Sequence, residues 1–190
     1  MKINFKDYSV LTLIGVNIFP IIGVIFFSWD IFEIVMLYVL ETFLIGLFNI
    51  SKMAFTKGNA KFFLIPFFLF HYNFFIIIQS AFVVILLGNG TESLIEVLTN
   101  SNFIIANILI IVSHGVSMHK NYINRKEYEI IKIEKFMIAP YKRIFVQQFT
   151  VIGGAFVVLL LKAPMGFLII LIIMKTFFDL RAHHKSHTIN

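Results

Sequence analysis

The chain has 190 residues, of which 59% are hydrophobic, 14% are charged and 24 are phenylalanine, with a mean hydropathy of +0.90. These values lie outside the soluble globular range and inside that of polytopic membrane proteins, which excludes a soluble catalytic domain. The lack of Cys excludes disulfides, thiolate metal sites and cysteine nucleophiles, while the net charge of +6 calls for an explanation in partners or in orientation.

The first 20 residues, MKINFKDYSVLTLIGVNIFP, imitate a secretory signal in placing two lysines before an apolar run. No A-x-A cleavage site follows, and PIIGVIFF carries the run to spanning length, so 9–28 is expected to be a retained first helix. Five further apolar segments, 30–49, 62–87, 101–118, 144–161 and 164–180, approach the roughly 20 residues that an α-helical crossing needs. The expected fold is therefore all-α: a six-helix transmembrane bundle making one integral membrane domain over 1–190.

The connections set a direction. Lys2 and Lys6 precede the first segment, and Lys52, Lys57 and Lys61 follow the second. Seven Lys and Arg from Lys120 to Arg143 follow the fourth, and Arg181 and Lys185 follow the sixth. Those 14 share one side, whereas the turn SWD, the loop GNGTESLIEVLTN and the turn KAP bring only Lys162 to the other. By the positive-inside rule both termini are expected in the cytoplasm, with the chain a multi-pass protein of the cell membrane. Its excess charge then answers to orientation and to anionic headgroups of membrane lipids at the cytoplasmic face, and nucleic acid is not needed as a partner. KNYINRKEYEIIKIEKFMIAPYKR, between the fourth and fifth segments, suits a short interfacial amphipathic helix ending before Pro140.

Ionisable groups inside apolar segments are expensive and face other helices or a wet cavity. Glu41 is expected ~12 Å, His71 ~14 Å and His114 ~6 Å from the cytoplasmic end of their helices, at 1.5 Å per residue. Gln147 and Gln148 open the fifth segment near the same boundary. Gln79, Glu33 and Asn107 are the polar residues of the other half, each expected near an interface or bonded to a neighbour. The stretch KTFFDLRAHHKSH then puts Lys175, Asp179, His183 and His187 at steps of four, along one helical face. Two imidazoles at i, i+4 can ligate one metal while a carboxylate ligates or orients. The expected ligand set is His114, His183 and Asp179, with His71, His187 or Glu41 filling or orienting. Nitrogen and oxygen donors of this kind suit zinc or iron. Glu41 or Asp179 would act as general base toward a metal-activated water, attacking a lipid-like substrate. The same groups would alternatively serve a proton-linked transporter, or glue the helices of a scaffold subunit.

Two resemblances bear on this. LYVLETFLIGLFNISKM, FHYNFF, APYKRIFVQQFTVIGG and KTFFDLRAHH together resemble an uncharacterised family of small prokaryotic integral membrane proteins, a domain of unknown function. The likeness runs from about Trp29 to His184 and implies a polytopic helical membrane protein, with no activity or cofactor attached. It also implies a histidine after the PY-x-R-I stretch, where this chain has Gln148. At the level of the site alone, the His183 and His187 pair with His114 resembles the zinc-binding set of ceramidase and adiponectin-receptor hydrolases, although order and helix number differ. A rhomboid-type serine protease is excluded, because no G-x-S-G is present.

Overall fold

The computed structural model describes residues 19–142 together with 144, 145, 148 and 149. Residues 19–26 are helical (α1), and the chain then turns through Ser28 to Trp29, whose amide donates to the Gly23 carbonyl at 3.0 Å. Asp30 begins α2 (Ile31–Phe55) with a reciprocal cap. Its Oδ1 accepts from the Phe32 amide at 2.7 Å, while Glu33 Oε2 accepts from the Asp30 amide at 2.9 Å. Glu33 is thus spent on satisfying a helix end.

A turn through Gly58 leads to α3 (Lys61–Leu87). The connection expected as a loop contains a nine-residue helix, α4 (Thr91–Thr99). Leu94 and Val97, three apart, give it an apolar face that a reading by charge alone passes over, and Val97 is buried. Asn100 caps α5 (Ser101–Ser117), accepting from the amides of Asn102 and Phe103 at 2.9 and 3.2 Å. A π-helical turn, Met118–Ile123, and the short α6 (Glu127–Ile130) follow. From residue 133 the chain is helical again (α7), and this helix runs through Pro140 where an end before it was expected.

Helix α2 is the core. Thirteen of its residues are buried, against five in α3 and three in α5, so its neighbours lean on it from either side. Helix α3 is antiparallel to it: the Phe32 ring lies against Gly88, and the Tyr72 ring lies over Gly46. A Cβ at Gly46 would come within 2.3 Å of that ring, so only glycine permits the approach. Helix α5 is parallel to α2, with Trp29 against Phe103 (5.8 Å between rings) and Phe48 against His114 (5.8 Å).

The survival of α7 past Pro140 has a specific cause. Proline lacks the N–H that would pair with the carbonyl four residues back, which leaves the Phe136 oxygen open. Asn49 of α2 donates its side-chain amide to that oxygen at 2.6 Å. One residue thus replaces the missing bond and ties α7 to the core helix.

Three helices among the described residues are long and apolar enough to cross a membrane: Ile31–Phe55, Lys61–Leu87 and Ser101–Lys120. They overlie the expected segments 30–49, 62–87 and 101–118. Six were expected, but 164–180 and most of 9–28 and 144–161 lie outside the described residues.

Asn49→Ala is expected to lose about 1–3 kcal/mol of stability, the cost of a buried carbonyl left without a donor. Because Pro140→Ala restores an N–H to Phe136, the Asn49→Ala loss should shrink by at least ~0.5 kcal/mol in that background. Thermal unfolding of the four proteins of the cycle in one detergent measures both.

Candidate functional site

Glu41 lies ten residues into α2 and is 1% exposed. An ionised carboxylate so buried must be paired, since desolvation alone costs several kcal/mol. The parallel course of α2 and α5 brings His114 to it, with Nε2 3.7 Å from Glu41 Oε1. This separation suits an ion pair or a proton shared through a small intervening group, and exceeds a direct hydrogen bond. The two partners differ in access, the His114 side chain being 22% exposed and that of Glu41 2%. His114 stands in the last turn of α5, where the helix dipole favours a cation.

His71 goes elsewhere. Its Nδ1 is 2.9 Å from the Tyr141 hydroxyl of α7, and its ring stacks on Phe67 and meets Phe75 edge-on, at 5.3 and 5.1 Å. Tyr141 in turn packs against Phe68 and Tyr72, closing an aromatic box around the imidazole. Glu41 and His71, expected at similar depth, are therefore held on two different seams, α2 with α5 and α3 with α7. No group of three His, Asp or Glu close enough to hold a metal occurs among the described residues. Asp179, His183 and His187, and with them Lys175 and Gln147, lie outside the described residues.

The remaining polar residues divide plainly. Asn107 donates to the Phe103 carbonyl of its own helix, one turn back, at 2.8 Å. Gln148 is half-buried and helical. Gln79 is fully buried on the stripe Phe68, Tyr72, Ile76, Gln79, Val83 that faces α2, and neither end of its carboxamide has a partner among the described residues.

Sequence reasoning passed over three side chains that hold the site in place. Tyr72 donates to the Thr42 carbonyl at 2.7 Å, one residue beyond Glu41. Tyr122 donates to the Lys52 carbonyl at 2.6 Å, with its oxygen 3.3 Å from Thr56 Oγ1, and the Lys52 ammonium sits 5.7 Å over its ring. Burial pushes the Tyr122 phenol above its usual range, which keeps it a donor at neutral pH. Asn49 is the third. None was legible as a brace, since its carbonyl partner lies 30 to 87 positions away.

A model of a family of unknown function, DUF6498, matches residues 1–190. The chain belongs to that family. Neither a curated protein nor a solved structure matches the chain. Membership brings no activity to assign to the Glu41 and His114 pair, so its chemistry has to be read from its geometry.

Replacing Gln79 with Leu removes a donor and an acceptor that go unpaired in an apolar seam while keeping the volume. Such a change is expected to raise stability by about 1–3 kcal/mol, read as a higher melting temperature of the detergent-solubilised protein.

Proposed function

We propose that the chain is an integral membrane protein of the cell membrane in which Glu41 and His114 exchange a proton inside the bilayer, as in a proton-linked carrier. The observation that carries this reading is the pair itself: a fully buried carboxyl in the central helix, 3.7 Å from an imidazole that is partly open. Imidazole changes charge near neutral pH, so it is the natural port, and the carboxyl is the inner station. With a proton on Glu41 and none on His114 the pair is neutral and inexpensive in a low dielectric. Moving that proton makes an ion pair, and adding a second makes a lone imidazolium. The first two states differ in how charge is separated and the third in net charge within an apolar seam, which is what lets protonation bias helix packing.

The rest of the arrangement follows the same reading. Every Lys and Arg from Lys52 to Lys135 lies in or beyond the C-terminal ends of α2 and α5 or at the start of α3, while Asp30, Glu33, Glu92 and Glu96 occupy the opposite end. That polarity supports a cytoplasmic basic end and, with the remaining apolar segments, six crossings with both termini inside. Because the chain has no Cys, single cysteines report its orientation without background. Glu92→Cys is expected to react with a membrane-impermeant maleimide on intact cells and Lys57→Cys only after lysis; the reverse pattern would invert the topology.

A metal-dependent hydrolase is the second reading, favoured by one carboxylate and one imidazole already facing each other on adjacent helices. Asp179 and His183 would have to complete the set, with zinc or iron bound. Metal analysis of the purified protein separates the two. Stoichiometric metal lost in His114→Asn supports the hydrolase, and its absence leaves the proton site.

For the proton site itself, infrared difference spectra between acid and neutral pH are expected to show a protonated-carboxyl band. Glu41→Gln should remove one carboxyl component of that band, and His114→Asn should change the pH dependence of that same component. A band unchanged in Glu41→Gln would sink the reading.

A further inference from the structure

Where α2 hands over to α3, the turn through Lys57 and Gly58 faces the connection between α6 and α7 across a groove of about 410 Å³. That size is within the range of small-molecule sites, roughly 300–1,000 Å³. Gly58 has φ +113 and open space where a Cβ would stand, so the turn leaves its backbone accessible. The groove wall is firm, because Thr56 donates to the Lys52 carbonyl at 3.0 Å and lies 3.3 Å from the Tyr122 hydroxyl.

Four charges line this groove, Lys57 and Lys132 with Glu129 and Glu134, two of each sign. Their side chains make no ion pair or hydrogen bond with one another or with any other described residue. Oppositely charged groups sharing one concavity without neutralising each other are complementary to a ligand that carries both signs. The flank is apolar: Ile130, in the lining itself, is 80% exposed, and Phe55, next to Thr56 in the chain, is 62% exposed. A water-borne zwitterion has no use for such a flank, whereas a lipid has a charged head and hydrocarbon chains to place at once.

We infer that this groove binds the headgroup of an ethanolamine phospholipid, with the phosphate at Lys57 and Lys132 and the ammonium at Glu129 and Glu134. A glycerol headgroup would set an uncompensated anion against the two glutamates. Choline carries the right charge, but its trimethylammonium has no N–H to give a carboxylate, so the primary amine is preferred. The inference rests on the membrane reading above and on no property of the Glu41 and His114 pair.

The test uses the full-length protein purified in detergent. Dioleoyl phosphatidylethanolamine, phosphatidylcholine and phosphatidylglycerol are titrated in turn, and bound lipid is read by native mass spectrometry with thermal stabilisation as a second readout. The ethanolamine lipid is expected to bind about fivefold more tightly than either of the others, the scale of one exposed charge pair. Glu129→Gln with Glu134→Gln should bring it level with phosphatidylcholine while leaving phosphatidylcholine binding unchanged, and Lys57→Gln with Lys132→Gln should weaken all three. All four positions are exposed, and the unliganded melting temperature shows whether a variant has kept its fold. Equal binding of the three lipids, tightest binding of phosphatidylglycerol, or a preference that survives the glutamate changes overturns the inference. A protein that stays soluble and monodisperse without detergent would instead defeat the membrane reading itself.

Discussion

Helix α2 buries thirteen of its 25 residues, more than any other described helix, and has to account for a carboxyl at its middle. The desolvation of Glu41 is offset in part by the seam toward α5, which brings an imidazole within 3.7 Å. The seam toward α3 supplies the opposite device, apolar closeness, with Gly46 letting the Tyr72 ring lie flat over the helix so that its hydroxyl reaches the Thr42 carbonyl at 2.7 Å. One helix thus meets one neighbour through charge and the other through contact, and the residue order Glu41, Thr42, Gly46 places these demands on faces about 100° apart.

The same economy recurs in the backbone. In an apolar bundle a carbonyl without a donor is costly, and side chains from other elements serve where regular pairing is broken or shared. Tyr72 bonds the Thr42 carbonyl, Tyr122 bonds that of Lys52, and Asn49 takes the place left by Pro140 at Phe136. All three bonds involve α2. They fix its height relative to α3, to the turn after α5 and to α7, and the Glu41 position is determined by that fixing. Gln79 shows what happens when no such partner is present: its carboxamide is buried at 0% exposure and unpaired among the described residues.

Length and apolar run were enough to place α2, α3 and α5, because a segment of some 20 apolar residues has few other fates. Depth was legible only coarsely: counting 1.5 Å per residue put Glu41 ~12 Å and His114 ~6 Å from a common end, with α2 taken to stop at 49 where it runs on to Phe55. Azimuth was not. His71 has nearly the same depth as Glu41, but it stands one position before Tyr72, about 100° around α3, and so faces Tyr141 instead of α2. The helix through Pro140 was invisible for a related reason. A proline forecasts a break unless a donor from elsewhere repairs the carbonyl behind it, and Asn49 lies 87 residues away. Helix α4 was missed because its two glutamates drew the eye from the apolar face of Leu94 and Val97.

The position of the pair along α5 bears on what protonation can do. All three buried residues of that helix, Phe103, Ala106 and Ile110, fall in its first ten positions, anchored by the Trp29 and Phe103 rings. Beyond Ile110 no residue of α5 is buried, and Gly115 touches the Phe48 ring only at 4.0 Å from where a Cβ would be. The half of α5 that bears His114 is half-buried from Ser113 to Ser117, and the Phe48 contact and the Glu41 pair are among the contacts that join it to α2. Where packing is tight, a change of charge is absorbed by desolvation cost alone; where it is sparse, the same change alters the distance between helices. Under the proposed function, an imidazole in the last turn of a helix whose fully buried residues all lie in its first ten positions is where a change of protonation would act on the spacing of α2 and α5.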